Sequence, residues 1–329
     1  MILITGGAGY IGSHCVLNFI KNNIEDIVVF DNLETGHIET INTLKDISPR
    51  IIFEKGDLRN KKDVEILFSK YSFDAVIHFA AFSLVGESVE NPSKYYNNNL
   101  IGAINLLDEM VKNNVLKIVF SSTAAVYGEP KYTPIDENHP LEPVNPYGKS
   151  KLMIERMLED YDKAYGLKSV CLRYFNVIGA DKLARIGEWH NIETHLVPNV
   201  LKGALDSNFK FKIFGDDYET PDGTCIRDYI DVEDLAIAHQ LACEYLKTNN
   251  KSQKINLGTQ KGSSVKEILT EIEKVLNLKI NVEIAPKREG DPKVLLANAN
   301  KAKEILGWIP SETLEKSINT AYNWQKKLS

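Results

Sequence analysis

Tyr147 and Lys151 stand four residues apart in the stretch Asn145-Pro146-Tyr147-Gly148-Lys149-Ser150-Lys151. Asn145 suits a helix N-cap and Pro146 the first helical position. Leu152, Ile154, Met157, Leu158 and Tyr161 continue at helical spacing. Positions i and i+4 share a helix face, so both side chains point the same way. A phenol with a pKa of about 10 costs about 4 kcal/mol to ionise at neutral pH. A unit positive charge about 4 Å away, at an effective dielectric of about 20, returns about 4 kcal/mol. A lysine so placed makes the tyrosine a usable general base. The same spacing arises by chance on many helices, so its meaning depends on the rest of the chain.

The elements that position this pair alternate in type. Short apolar runs at 1–5, 27–30, 51–54, 75–79, 117–120 and 169–173 read as strands buried on both faces. Amphipathic stretches at 11–22, 61–71, 91–113 and 146–165 lie between most of them. This alternation predicts a parallel sheet with helices on both sides, and right-handed crossovers make it doubly wound. Ligands then bind beyond the carboxyl ends of the strands. Those ends carry suitable residues. Gly6-Gly7-Ala8-Gly9-Tyr10-Ile11-Gly12 follows the first strand and opens a helix, and Asp31 closes the second strand. Glycines at 6, 9 and 12 let backbone approach a pyrophosphate, and the helix N-terminus favours the phosphates. Asp31 accepts both adenosine ribose hydroxyls and repels a 2′-phosphate, which favours NAD over NADP. Asp57-Leu58 is placed to meet the adenine, with a simple turn aspartate as the alternative. Phe79-Ala80-Ala81-Phe82-Ser83 suits a wall along the cofactor, and Ser121-Ser122-Thr123 puts hydroxyls at its nicotinamide end. Phe175-Asn176 follows the sixth strand, and one of Asn97, Asn98 and Asn99 is expected to turn inward.

The 329 residues suit one large or two moderate domains. A formal charge of −6 and the lack of a long basic run argue against general nucleic-acid binding. No apolar run approaches the ~20 residues of a membrane span. The first strand starts at once, so no signal peptide is expected. Four scattered cysteines, with neither CxxC nor zinc-like His/Cys spacing, read as reduced thiols of a cytoplasmic protein that holds no metal.

Taken together, Gly6-x-x-Gly9-x-x-Gly12, Ser121-Ser122-Thr123 and Tyr147-x-x-x-Lys151 resemble an extended short-chain dehydrogenase/reductase. Further segments narrow the resemblance to the UDP-glucose 4-epimerase family: FAAFSLVGES from Phe79, SSTAAVYG from Ser121, RYFN from Arg173, FGDDY from Phe214, DGTCIRDYI from Asp222 and REGD from Arg288. The resemblance implies a Rossmann sheet with a smaller mixed α/β substrate-binding cap. Residues 1–176 would form the NAD-binding domain, with the chain returning to it at about 229–258, and 177–329 a discontinuous cap. Tyr147 would be the acid/base for the sugar 4-hydroxyl. Lys151 would hold the nicotinamide ribose and lower the tyrosine's pKa, and Thr123 would bond near that hydroxyl. Tyr10, Ile11, Asp31, Asn32, Asp57, Leu58, Phe79, Ala80, Ala81, Ser83, Asn99 and Phe175 would line NAD with the glycines. Asn176, His195, Leu196, Lys212, Ile213, Phe214, Arg227, Arg288 and Asp291 would hold the UDP-sugar.

The implied reaction inverts C4 of a UDP-hexose through a 4-keto sugar, interconverting UDP-glucose and UDP-galactose. A homodimer through the 91–113 and 146–165 helices is also implied. Some positions depart from the pattern: Ser83 where some members carry lysine, His195 where others have asparagine, and Val177 where proline is common. Leu295 stands at the substrate-size gate, where some members have tyrosine, so N-acetylated UDP-hexosamines are expected to fit as well. A 4,6-dehydratase would need an Asp-Glu pair after the Ser/Thr, and Ala124-Ala125 stand there instead. A UDP-glucuronate epimerase and an NAD-binding regulator remain the alternatives, the second opposed by Tyr147, Lys151 and Thr123 occurring together. In the second half, Arg227 and Arg288 are forked donors suited to a diphosphate. Trp308 and Trp324 read as packing residues, and helices at 263–276, 299–306 and 314–328 as parts of the cap.

Overall fold

The structure is a computed structural model that describes residues 1–22, 26–204, 210–287 and 292–328. In chain order the first half runs β1 (Ile2–Thr5), α1 (Tyr10–Lys21), β2 (Ile27–Asp31), α2 (Ile38–Ile47), β3 (Ile51–Lys55), α3 (Lys61–Lys70), β4 (Ala75–His78), α4 (Val85–Glu90), α5 (Pro92–Tyr95), α6 (Gly102–Lys112), β5 (Lys117–Ser121), α7 (Pro146–Tyr165) and β6 (Lys168–Tyr174). The second half runs β7 (Asn176–Ile178), α8 (Leu196–Ala204), β8 (Phe211–Phe214), β9 (Ile226–Asp231), α9 (Val232–Asn249), β10 (Gln253–Leu257), β11 (Gly262–Ser264), α10 (Val265–Leu276), β12 (Val282–Ala285), β13 (Val294–Leu295), α11 (Asn300–Leu306) and α12 (Leu314–Leu328).

Seven strands form one sheet in the order β10-β6-β5-β4-β1-β2-β3, with every neighbouring pair parallel. The order reverses between β1 and β4, the crevice where such sheets bind ligands. Its inner strands β1, β2 and β4 are buried along their whole length because both faces are covered. Cys15, Phe19, Leu235 and Leu246 pack on one face, and Val64, Leu107, Ile154 and Leu158 on the other. A separate core of Ile178, Val197, Leu201, Ile213, Ile268, Ile272 and Ile318 lies among α8, α10, α12 and their strands. There β12 pairs parallel with β8, and β9 pairs with β7, β11 and β13.

Three local results differ from the sequence expectation. Residues 91–113 are not one helix: α5 runs into a π-helical turn (Tyr96–Ile101) before α6. A π turn shifts the register of the side chains and is frequent at functional sites. The helix at 38–47 was not legible, because the polar residues of Ile38–Ile47 leave only Thr40, Ile41 and Leu44 buried. Finally, α11 does not pack with the cap. Ala299, Ala302, Leu306 and Trp308 join the sheet's core, and the Trp308 indole donates to the Asp234 carbonyl at 2.9 Å. The capping box of α10 forms as the spacing predicts, with Ser264 and Glu267 bonding reciprocally.

Candidate active site

The pair that opened the sequence reading sits on the first two turns of α7. Asn145 caps that helix by accepting from the Gly148 amide at 2.8 Å, and Pro146 takes the first position. Gly148 is there for space: a Cβ would lie 2.5 Å from the Ala125 carbonyl oxygen. The helix therefore approaches the turn after β5 closely, and that turn carries Thr123. The Thr123 hydroxyl accepts from the Ala125 amide at 3.1 Å and lies near enough to the Tyr147 phenol to counter part of the rise that burial gives it. Lys151 donates to the Ser121 carbonyl at 2.8 Å, with its ammonium 4.9 Å above the Phe120 ring.

These groups open into a cavity of about 530 Å³, within the ~300–1,000 Å³ common for small-molecule sites. Its far end is the glycine turn. Gly6 has φ +74°, and a Cβ there would meet the Ala80 amide nitrogen at 2.5 Å. A Cβ on Gly12 would meet the Gly6 carbonyl at 2.3 Å. Gly9 caps α1 without a side-chain bond, leaving the first-turn amides of the helix to a ligand anion. Asp31 is buried at the end of β2 and accepts from the Ala8 and Leu33 amides at 3.0 and 2.8 Å. Burial pushes its carboxyl up, and those two amides counter part of the rise. Arg59 is folded close by, but Asp57 and Glu34 take its guanidinium at 2.5 and 2.7 Å. That end of the cavity therefore keeps its acidic character, and the residues fit the adenosine end of an NAD without a 2′-phosphate.

Gly6, Gly9, Tyr10, Ile11, Gly12, Asp31, Asn32, Asp57, Leu58, Phe79, Ala80, Ala81, Ser83, Thr123, Tyr147, Lys151, Phe175, Asn176 and His195 all line this cavity. Asn99 does not. Its buried amide exchanges bonds with the Phe82 backbone (2.9 and 3.2 Å) and donates to Ser150 at 3.0 Å, while Asn98 reaches the wall. Asn99 thus supports the wall from behind. Leu196, Lys212, Ile213, Phe214, Arg227 and Leu295 also lie off the wall, on α8 and the cap strands β8, β9 and β13. Ile213 is spent in the cap core, and Leu295 packs beside Ala124, Tyr127 and Phe175. Arg288 and Asp291 lie outside the described residues.

Other wall residues were not expected. Lys94 brings a cation to the wall that holds Ser83, where a lysine was noted as missing. It pairs with Glu87 at 2.6 Å and lies 4.2 Å over the Phe82 ring. No sequence periodicity marks it, because the helices that carry Glu87 and Lys94 meet only in the fold. Glu188, His190, Asn191 and Ile192 line the opposite rim with His195. Burial opposes the His195 charge, but Glu188 and Glu193 outweigh it and push the imidazole up to about 10.

One electrostatic expectation fails in the chain by itself. Burial raises the Tyr147 phenol, and the Thr123 hydroxyl offsets only part of the rise. Burial also pulls Lys151 down to about 7, against the Glu155 carboxylate that supports its charge. The sequence argument took a fixed ammonium in a moderate dielectric, whereas both groups here are almost wholly buried.

Behind the site, Glu155 takes Arg173 through two bonds, at 2.9 and 2.5 Å, and accepts from the Ser122 hydroxyl at 2.6 Å. Arg173 also donates to the Tyr127 hydroxyl at 2.9 Å, which donates to Asn256 at 2.6 Å. This buried network ties α7 to the end of β5, to β6 and to β10.

Residues 3–321 match the protein family described as GDP-mannose 4,6 dehydratase. A UDP-glucose 4-epimerase of Halalkalibacterium halodurans is 52% identical over 327 residues, covering 99% of this chain and 96% of its own length. The crystal structure of a Stenotrophomonas maltophila UDP-glucose-4-epimerase, with bound NAD and formylated UDP-arabinopyranose, superposes with a TM-score of 0.95 at 36% identity, covering 99% of this chain and 98% of that one. The UDP-Glc/GlcNAc 4-epimerase of Campylobacter jejuni superposes with a TM-score of 0.87 at 43% identity, covering 99% of both chains. The chain belongs to the extended short-chain dehydrogenase/reductases and, within them, to the UDP-glucose 4-epimerase family. The dehydratase description of the matched family does not extend to the chemistry at Ala124 and Ala125, which offer no acid or base after Thr123.

Proposed function

We propose that this chain is an NAD-dependent UDP-glucose 4-epimerase, an isomerase that inverts C4 of a UDP-hexose. The observation that carries the reading is a single cavity running from the glycine turn and Asp31 to Thr123, Tyr147 and Lys151. The bound dinucleotide supplies a hydride acceptor and a cationic ring. Tyr147 takes the proton of the sugar 4-hydroxyl as C4 is oxidised to the ketone, and returns it after the sugar has turned over. Thr123 aligns that hydroxyl with the phenol. Lys151 holds the nicotinamide ribose and shares its charge with the tyrosinate. Asn176 and His195, on the cavity wall, hold the UDP-sugar, and Leu196, Lys212, Phe214, Arg227, Arg288, Asp291 and Leu295 are assigned to it by the family resemblance, while Ile213 only supports them from the cap core. The diphosphate is the handle that lets the sugar move without leaving.

Separate incubation with UDP-galactose, UDP-N-acetylgalactosamine and UDP-galacturonate, with each product identified, tests this directly. UDP-galactose is expected to give UDP-glucose. Leu295 packs behind Phe175, where the family's bulkier tyrosine would press on that wall, which supports turnover of the N-acetylated sugar too; an unchanged N-acetyl substrate beside active UDP-galactose turnover removes that extension. Denaturation of the purified protein is expected to release NAD, because Asp31, Asp57 and Glu34 stand where a 2′-phosphate would go. Recovery of NADP in its place would contradict the role given to Asp31.

A homodimer is part of the proposal. Ile101, Ile104 and Met153 expose apolar side chains on the π turn, α6 and α7, and light scattering at the monomer mass would count against it. The four buried free cysteines support a reducing, cytoplasmic setting. Among the described residues no helix is long and apolar enough to cross a membrane.

A further inference from the structure

Four metal-ligating side chains gather on the rim of the cavity within eight residues of chain: Glu188, His190, Glu193 and His195. Their donor atoms all lie within 4.8 Å of one another. His195 Nδ1 is 2.9 Å from Glu188 Oε1 and 2.9 Å from Glu193 Oε1. His190 Nδ1 is 3.2 Å from Glu193 Oε2 and 3.5 Å from Glu188 Oε1. A tetrahedral zinc ion with bonds of about 2.0 Å holds its ligand atoms about 3.3 Å apart. Four of the six donor–donor separations straddle that edge and none exceeds 4.8 Å, so side-chain adjustments would seat an ion among them.

The setting also differs from a solvated acidic patch. The Glu188 and Glu193 side chains are only 8% and 4% exposed, so their charges need a buried counter-charge. Their backbone and carboxylates are already braced. The Glu188 carbonyl accepts from the Trp324 indole at 2.9 Å and from Gln325 at 3.3 Å. Trp189 stacks on His37 with ring centroids 3.7 Å apart. The Glu193 carboxylate accepts from the Thr194 and His195 amides at 2.9 and 2.8 Å, and its carbonyl accepts from Asn199 at 3.2 Å. Ligands fixed by such outer bonds lose little freedom on binding a metal. Two imidazole nitrogens and two carboxylate oxygens form a donor set of the zinc class.

We propose that Glu188, His190, Glu193 and His195 bind one divalent transition-metal ion of the zinc class, through Nδ1 of each histidine and one oxygen of each carboxylate, with His195 releasing its Nδ1 proton to solvent as the ion takes that place and keeping Nε2 for the UDP-sugar. All four positions come from the protein, so the site is structural. It clamps the 188–195 segment, three of whose four ligands face the cavity, and so fixes that wall of the site.

The test uses the full chain after chelator treatment and removal of bound UDP-sugars. Dialysis against micromolar zinc chloride, followed by elemental analysis, is expected to find one ion per chain. His190→Ala and Glu193→Gln should each weaken binding about 100-fold, at least the cost of losing a well-placed outer-shell partner. Cobalt(II) loading should give the visible absorption of a tetrahedral site without thiolate charge-transfer bands, which separates this cluster from the cysteines. Circular dichroism checks that the variants fold. Should His190→Ala fail to fold, the wild-type cobalt spectrum and a zinc-dependent rise in Tm carry the test. No zinc taken up by the wild type would overturn the proposal. Equal binding by both folded variants, or a cobalt spectrum with thiolate bands, would do so as well.

Discussion

Tyr147→Phe is expected to slow interconversion of UDP-glucose and UDP-galactose by about 10²- to 10⁴-fold, the usual worth of a positioned acid/base. The substitution removes one oxygen and keeps the ring that packs with Phe82 and Tyr95. The fold and the bound dinucleotide should therefore survive, which dinucleotide release from the purified variant will show. A hydrogen bond lost at Thr123 would be worth about 1 kcal/mol, too little to account for the loss of turnover. Retention of full activity would move the proton transfer to another group. The buried state of Tyr147 and Lys151 makes the experiment more informative. In the chain by itself burial raises the phenol and draws the lysine down to about 7, so a bound cofactor would have to supply part of the charge that lowers the phenol.

Glu155→Ala should cost about 3–5 kcal/mol of stability, the usual price of stranding one member of a buried ion pair. That is a large share of the ~5–15 kcal/mol that holds a domain together. Glu155 is fully buried and Arg173 nearly so. Burial opposes the Arg173 charge, and Glu155 with Tyr127 outweighs it and raises its pKa. Removal of the carboxylate leaves the guanidinium with the Tyr127 hydroxyl and leaves the Ser122 hydroxyl without its acceptor. Urea unfolding measures the loss, and a change below about 1 kcal/mol would mean that the pair behaves like a surface one. Replacing both residues by apolar ones, Glu155→Leu with Arg173→Met, should recover much of the stability, because neither charge then needs a partner. Turnover should not recover with it. Ser122 lies between Ser121, whose carbonyl holds Lys151, and Thr123, whose hydroxyl lies near the Tyr147 phenol. Glu155 also supports the Lys151 charge through space. Stability and activity should therefore separate in the double variant.

The parts of the site readable from the chain are those set by short-range rules. The cap at Asn145 and the proline after it define where α7 begins, and i+4 spacing puts Tyr147 and Lys151 on one face. The glycines at 6 and 12 mark contacts that no side chain could occupy. The apolar strands 2–5, 27–31 and 75–78 can only be central in a covered sheet, and the site lies at their carboxyl ends. Other features were out of reach because they depend on how turns and helices pack, some of them far apart in sequence. The π turn at 96–101 swaps the roles of neighbouring asparagines, putting Asn98 on the wall and Asn99 behind it. Lys94 reaches the cavity only because Glu87 and the Phe82 ring hold it there. Trp324 and Gln325, at the end of the chain, brace the Glu188 carbonyl and with it the rim at 188–195.

The sequence by itself determined the doubly wound sheet, the glycine turn after β1 and the shared helix face of Tyr147 and Lys151, because each is written in local spacing, and its characteristic segments pointed to the family. Only the tertiary structure decided how those groups are charged and which side chains share the cavity. Coulomb attraction and desolvation both depend on how much water is excluded, and that exclusion is made by packing α7 against the turn after β5, with Gly148 allowing the approach. Arg59, remote from Asp31 in sequence, likewise has its charge balanced by Asp57 and Glu34 only through the fold that brings β2 and β3 together.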